Sequence, residues 1–161
     1  DMMDGRVGAI RKALDKKNFY DVSILSYAIK YSSNFYGPFR DAVGSKSKLK
    51  KNKKTYQMDY RNKLESFREV GLDIKEGADL VMIKPGMFYL DIISNIKNKF
   101  NIPIIVYQVS GEYSLIKNAI RNKILSEDAM IESITSFKRS GASAIVTYFA
   151  LEIAKKIKQI N

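Results

Sequence analysis

Two lysines end hydrophobic runs that have the composition of buried strands. Lys30 follows the apolar residues 22–29, and Lys84 follows residues 79–83. An amine is costly beside apolar residues unless the protein uses it. If the two strands are neighbours, about 4.8 Å apart, repulsion between the amines and partial burial lower the pKa of both. A neutral amine attacks a ketone or aldehyde carbonyl, so the pair predicts Schiff-base chemistry. The alternative is a plain strand end whose lysine reaches solvent.

The composition narrows the chemistry further. The chain has 161 residues, 45% of them hydrophobic and 28% charged, which is typical of one soluble domain. It contains no cysteine and no histidine. Disulfides and thiolate metal sites are therefore excluded from it, and a reducing cytoplasm is the expected location. Acid–base chemistry must rely on Lys, Tyr, Asp, Glu or water. No apolar run is long enough to span a bilayer, so we expect no membrane partner.

The formal net charge is +11, and residues 46–54 form a lysine-rich run. Such a run can bind nucleic acid, but recognition of phosphates and bases relies more on arginine. A solvated loop is the favoured interpretation, and we expect no nucleic-acid partner. A third possibility is that one or two of its cations hold a small anionic substrate.

Periodicity predicts a helix followed by four strand–helix units. The predicted strands span residues 22–29, 79–83, 102–109 and 144–149. The predicted helices span residues 5–17, 59–76, 88–100, 112–122, 127–140 and 151–160, while residues 31–58 are expected to be irregular. Asp4, Asp59 and Ser126 are the predicted N-terminal caps, and Gly77 and Gly141 are expected to end two of the helices.

Strands this apolar are usually buried on both faces in a parallel sheet covered by helices. Alternating strands and helices leave a doubly wound sheet or a TIM barrel as candidates, and no nucleotide-binding glycine loop is present. Polar residues lie at the carboxyl ends of the predicted strands, where both folds place their ligand-binding sites: Lys30, Lys84, Ser110 and Tyr148. A barrel needs eight strands and about 250 residues. The chain would therefore be a half barrel or a fragment.

Anion-binding groups accompany the lysines. Arg40 follows an aromatic Gly-Pro turn after Lys30 and suits a carboxylate, although a surface ion pair is equally compatible. Ser110 precedes a helix, whose N-terminus favours an anion, although a simple helix cap is the alternative. Tyr148 could donate to the same anion.

Four longer motifs carry a resemblance to a known family. They are SYAIKYSSNFYGPFR at residues 26–40, KKTYQM at 53–58, MIKPGMFYLD at 82–91 and YQVSGEY at 107–113, and the opening DMMDGRV fits as well. In this order and over essentially the whole chain, they resemble the C-terminal half of the porphobilinogen synthase (5-aminolevulinate dehydratase) family. The resemblance implies a TIM barrel, of which this chain supplies about the last four β/α units. It also implies a lyase of tetrapyrrole and heme biosynthesis that condenses two 5-aminolevulinate molecules to porphobilinogen with loss of two waters.

The resemblance assigns roles to individual residues. Lys84 is similar to the lysine that holds the first substrate as a Schiff base, and Lys30 to the one that engages the second. The others are a catalytic acid, Asp1; contacts of the second substrate, Arg40, Lys53 and Gln57; groups around the first substrate's carboxylate, Ser110, Tyr148 and Tyr107; lid residues, Tyr36 and Phe39; and a ligand of an allosteric Mg²⁺, Glu69.

The resemblance also implies a homo-octamer. The family's segment for an active-site Zn²⁺ lies outside this sequence, so no zinc ligand is assigned. Residues 1–161 are expected to be half of one catalytic domain, without the N-terminal half and its arm, and to be inactive alone. The alternatives are another Schiff-base barrel of the aldolase kind and a basic module that binds nucleic acid.

Overall fold

The computed structural model describes residues 2–42 and 55–160, apart from the side chains of Arg40, Gln159 and Ile160. Its strands are β1 (Leu25–Lys30), β2 (Leu80–Lys84), β3 (Ile104–Tyr107) and β4 (Ala144–Val146). Its helices are α1 (Arg6–Asp15), α2 (Gly37–Ala42), α3 (Leu64–Glu76), α4 (Leu90–Lys99), α5 (Ser110–Arg121), α6 (Asp128–Ser140) and α7 (Ala150–Ile160), and a short 3₁₀ helix (Asn34–Tyr36) precedes α2. All four predicted strands and all six predicted helices are present, with shifted ends.

The four strands form one parallel sheet in the order β1-β2-β3-β4. Each strand pairs with the next one along the chain, and the order contains no reversal. Strands follow one another in this way in a β/α barrel, whereas a doubly wound sheet reverses direction at its switch point. Because all strands are parallel, their carboxyl ends meet at one edge, where Lys30 and Lys84 lie.

The core lies between the sheet and the helices that cover it. Ile29, Ile83 and Val106 from three strands are fully buried, together with Ile93 of α4 and Phe137 of α6. A second cluster joins α5, α6 and α7 through Ile116, Met130, Phe149 and Ile153. Each such side chain contributes about 1.5–3 kcal/mol by leaving water, so the sheet is a firm platform for the residues at its edge.

The predicted cap of α1 is wrong. Asp4 does not cap the helix: Gly5 is the N-terminal cap, with a φ of 80° that favours glycine. The Glu76 carboxylate accepts hydrogen bonds from the N–H groups of Gly5 and Gly8, both at 2.9 Å. A carboxylate at a helix N-terminus is favoured by the helix dipole, and here it comes from the last residue of α3.

Two other predicted caps are also wrong. Helix α3 begins at Leu64, and Asp59 instead binds Arg61 through its backbone N–H and its guanidinium. Helix α6 has Glu127 as its cap residue without a side-chain hydrogen bond, so Ser126 has no capping role. The helix ends at Gly77 and Gly141 are confirmed, with φ values of 100° and 117°.

Two predicted segments have a different form. The segment predicted to be irregular contains the 3₁₀ helix and α2, and Ser33 Oγ starts the 3₁₀ helix by accepting the Phe35 N–H. Strand β4 is three residues long rather than six. The Thr147 hydroxyl accepts the Phe149 N–H at 3.1 Å, which turns the chain toward α7. Tyr148 therefore lies in a turn and not in a strand.

Candidate active site

The two lysines predicted to share a site are neighbours. Lys30 of β1 and Lys84 of β2 are the last pair in the register of these parallel strands. Paired residues in a sheet project from the same face, so both amines leave the same edge in the same direction. Each lysine is half-buried. This placement confirms that the two strands are adjacent.

The Tyr27 ring contacts both lysines, and the sequence analysis did not identify it as a site residue. The Tyr27 ring centroid lies 5.7 Å from Lys30 Nζ and 5.5 Å from Lys84 Nζ. In a regular strand Tyr27 and Lys30 would project from opposite faces. The register of β1 against β2 shifts between Ser26 and Ile29, where β1 has one extra residue, and this bulge allows the ring to reach both amines. No local signal marks the bulge in the sequence.

Two further aromatic rings face the Lys84 amine. Lys84 Nζ lies 3.9 Å from the centroid of Tyr107 and 5.7 Å from that of Tyr36. Tyr107 is at this place because it follows Val106, which pairs with Ile83 next to Lys84. Ring faces attract a cation, with about 0.5–2 kcal/mol per contact. Burial, and then the hydrogen bond with Tyr148, raises the pKa of Tyr107 to about 12, so its hydroxyl keeps its proton.

The backbone of Lys84 is held as well. Its carbonyl oxygen accepts the Tyr31 N–H at 2.9 Å and the Tyr36 hydroxyl at 3.2 Å. The peptide bond from Lys84 to Pro85 is cis. Tyr36 is buried, so this predicted lid residue is also a backbone contact of the site.

The predicted lid packs on the start of α5. Phe39 N–H donates to Ser110 Oγ at 3.1 Å, while the Phe39 ring is half exposed. A Cβ on Gly111 would lie 2.3 Å from the Phe35 carbonyl oxygen, so only glycine permits this approach. Tyr148 is half exposed, and its ring lies 5.4 Å from that of Tyr113. The structure thus brings Ser110, Tyr107 and Tyr148 to the Lys84 end of the site.

Gln57 lies on the side of Lys30. Its neighbour Met58 donates its N–H to the Lys30 carbonyl at 3.1 Å. Gln57 is buried, and its Oε1 has no hydrogen-bond partner among the residues that the structure describes. A buried acceptor without a partner costs about 1–3 kcal/mol, so a ligand that donates to it would bind favourably. It borders a cavity of about 180 Å³ that Ser32, Asp59, Tyr60 and Arg61 also line.

Three predicted site residues cannot be compared with the structure. Asp1 and Lys53 lie outside the described residues, and Arg40 lies in α2 with a side chain that is not described. Their roles stay predictions.

Glu69 is on α3 and not at the strand ends. Burial, followed by the nearby charges of Asp4 and Glu65, raises its pKa to about 6. The surroundings of Glu69 are therefore electronegative, which suits a cation. Within residues 2–42 and 55–160 no group of three or more acidic, His or Cys side chains is arranged to hold a metal ion. Mg²⁺ needs fewer protein ligands than that, because it keeps several waters and often binds one or two carboxylates.

Gln108 is a further residue that the sequence analysis missed. It is fully buried; its amide nitrogen donates to Ser133 Oγ at 3.1 Å, and its Oε1 accepts from the Thr147 hydroxyl at 2.6 Å. It therefore ties the turn that carries Tyr148 to β3 and α6. A polar residue inside an apolar strand was the available signal.

None of the described helices has both the length and the apolar composition needed to cross a bilayer. Fold and site together define a class: an α/β protein of repeated parallel β/α units with two amines at neighbouring strand ends, suited to Schiff-base chemistry.

Comparison with known proteins gives the particular family. Residues 1–156 match the family model of delta-aminolevulinic acid dehydratase. Relatives with that name are 55% identical over 158 residues in Rhodobacter capsulatus and 52% identical over 157 residues in Archaeoglobus fulgidus, in both cases covering 98% of this chain. The chain belongs to the delta-aminolevulinic acid dehydratase family, as the motifs predicted.

A solved structure agrees. The delta-aminolevulinic acid dehydratase (porphobilinogen synthase) of Toxoplasma gondii, crystallised with its reaction product porphobilinogen, has a TM-score of 0.92 and 51% identity over 96% of this chain. The chain spans about half the length of the relatives it matches, with 48% of the Rhodobacter protein and 44% of the Toxoplasma chain covered.

Proposed function

We propose that the protein containing this chain is a porphobilinogen synthase, a lyase of tetrapyrrole and heme biosynthesis. It condenses two 5-aminolevulinate molecules to porphobilinogen with loss of two waters. The observation that carries the proposal is the pairing of Lys30 with Lys84 at the ends of β1 and β2. A Schiff-base aldolase needs one such lysine, whereas a reaction that joins two carbonyl substrates accounts for both.

The residues around Lys84 suit the first substrate. The amine of Lys84 attacks the ketone carbon of 5-aminolevulinate, and the carbonyl oxygen leaves as water when the imine forms. A protonated imine keeps one positive charge, which the ring faces of Tyr107, Tyr36 and Tyr27 stabilise. Ser110 and Tyr148 bind the carboxylate of this substrate at the N-terminus of α5, where an anion is favoured.

The residues around Lys30 suit the second substrate. Lys30 engages its carbonyl, and the second water is lost as the two molecules join. Arg40 and Lys53 bind its carboxylate, Gln57 supplies a polar contact through its buried amide, and Asp1 acts as the acid near it. Tyr36 and Phe39 cover the pocket as part of the lid.

We further propose that the four β/α units are the second half of one TIM barrel, that the complete protein is a cytoplasmic homo-octamer, and that the isolated chain is inactive. A four-stranded half leaves sheet edges that need partners, which supports the barrel. Mg²⁺ binds at Glu69 as a regulator, and the electronegative surroundings of this carboxylate support that assignment. Replacement of Glu69 by Gln should remove any increase of turnover by Mg²⁺, and a persisting increase would place the ion elsewhere.

Borohydride reduction of the complete protein with 5-aminolevulinate, followed by peptide mapping, tests the function. We expect a stable adduct on Lys84, because reduction fixes the imine. The matched control is Lys12→Met on the exposed face of α1, which should leave the adduct unchanged. Absence of an adduct from both Lys84 and Lys30 would overturn the proposal.

A further inference from the structure

Glu112 is a fully buried carboxylate to which the proposed chemistry gives no role. It lies in the first turn of α5. Its Oε1 accepts the Met87 N–H at 2.7 Å, and its Oε2 accepts the Val109 N–H at 2.8 Å and the Gly86 N–H at 3.3 Å. Burying a carboxylate is costly, and three converging N–H donors offset that cost.

These bonds do more than cap a helix. The Val109 N–H belongs to the cap residue of α5, and a bond to it would be sufficient for a capping role. The other two donors belong to the turn that follows Lys84 and Pro85, about 25 residues earlier in the chain. Glu112 therefore joins the start of α5 to the turn that follows Lys84.

The turn packs closely on β3 and α6. A Cβ on Gly86 would lie 2.7 Å from a methyl carbon of Val106 and 2.8 Å from the ring of Phe137. Before the turn, Lys84 is held by strand pairing and by the two hydrogen bonds to its carbonyl. After the turn begins, Glu112 binds the next two backbone N–H groups that can donate, because Pro85 has none.

The three backbone N–H donors explain why a glutamate occupies position 112. A carboxylate offers two oxygens and no proton donor, so it can accept three N–H groups at once. A glutamine of the same shape would direct its NH₂ group either at Met87 or at Gly86 and Val109. The NH₂ group of the glutamine would then face a backbone N–H group, and because both are donors at least one of the three hydrogen bonds would be lost.

We propose that Glu112 is a positioning residue that sets the place of the Lys84 amine by fixing the backbone turn after it. Its effect on turnover depends on the function proposed above, but its effect on Lys84 does not. Lys30 has no contact with Glu112 in the described residues and serves as an internal reference.

The test is competitive labelling of the complete protein with trace acetic anhydride, read as the ratio of acetylation at Lys84 to that at Lys30. We expect Glu112→Gln to change this ratio by at least about 3-fold. It should lower kcat about 10- to 100-fold with KM changed less than about 3-fold, since small displacements of a reacting group have effects of that size. Glu112→Asp, which keeps the charge, provides the same measurement should the glutamine variant not fold.

The matched control is Val7→Ala, a buried change on α1 that lies in neither cluster around the turn. It should lower the melting temperature but leave the labelling ratio as in the wild type. An unchanged ratio in both Glu112 variants, or an equal change in Val7→Ala, would overturn the positioning role. If 5-aminolevulinate gives no adduct with the wild type, the proposed function fails instead, and the ratio still decides the role of Glu112.

Discussion

The two ends of the candidate site are built differently. Around Lys84, three tyrosine rings face the amine, two hydrogen bonds hold the carbonyl, and Glu112 fixes the following turn. At the Lys30 end, the amine faces the ring of Tyr27, and the buried Gln57 Oε1 has no hydrogen-bond partner among the residues that the structure describes. The Lys84 end is made by strand ends and the start of α5, whereas the function proposed above assigns Asp1, Arg40 and Lys53 to the Lys30 end. We infer that the first end is set by the sheet, and that a substrate donating to Gln57 Oε1 completes the second.

The largest effect should separate the two lysines themselves. In the complete protein, Lys84→Met should abolish the borohydride adduct and lower turnover by at least about 10³-fold, because it removes the nucleophile. Lys30→Met should lower turnover comparably but keep the adduct on Lys84. Mass spectrometry of the reduced protein distinguishes the two outcomes. If the Lys30→Met variant also lost the adduct, Lys84 would not bind the first substrate independently of Lys30.

The buried carboxylate at the Lys84 end should make stability depend on pH. Burial raises the pKa of Glu112 to about 7 from the ordinary 4.5. The folded protein therefore binds this proton more tightly than the unfolded chain, and the free energy of unfolding should fall as pH rises from about 4.5 to about 7, by about 3 kcal/mol. Urea unfolding across this range should show a flatter slope for Glu112→Gln. Parallel slopes would show that the three N–H donors keep the carboxylate ionised throughout.

Gly111 tests how closely the lid packs on the Lys84 end. Gly111→Ala places a Cβ against the Phe35 carbonyl, so the lid must shift, at a cost of about 1–3 kcal/mol and with a loss of turnover of about 10-fold or more. Gly37→Ala, in the lid itself, is the matched control because a Cβ there meets nothing within 4 Å. Thermal unfolding and turnover should distinguish the two variants. Equal behaviour would mean that the contact at Gly111 is not required.

The smallest effect concerns the rings. Tyr27→Leu should raise the acetylation rate of both lysines about 2- to 5-fold, because each ammonium loses about 0.5–1 kcal/mol of ring contact. Tyr107→Leu should change Lys84 alone. Competitive labelling measures both rates in one sample. A response of Lys30 to Tyr107→Leu would show that the two ends are less separate than the contacts indicate.

Much of the fold could be predicted because its signals are local. Apolar runs and helical periodicity identified the strands and helices, and Gly77 and Gly141 ended helices as expected. The predicted caps failed because a cap needs a partner in space. Asp4, Asp59 and Ser126 have suitable side chains, yet the N–H groups at the start of α1 are bound by Glu76, about 70 residues away.

For the candidate site, the same division holds. The places of Lys30 and Lys84 could be predicted because strand ends are visible as the points where apolar runs stop. Tyr148 was expected within the last strand and lies in the turn after it. Tyr27 could not be predicted, because the bulge that allows it to reach both lysines is defined only by pairing with β2. Glu112 could not, because two of its three donors come from a turn after another strand.

The sequence by itself determined the order of the four strands and six of the helices, the lysines that end β1 and β2, and the family to which the chain belongs. These follow from side-chain type and spacing along the chain. Only the tertiary structure decided that Lys30 and Lys84 are in register, which rings face them and which carboxylate holds the turn after Lys84. These depend on pairing between strands and on N–H groups that converge from distant segments, and the packing of the core brings them together.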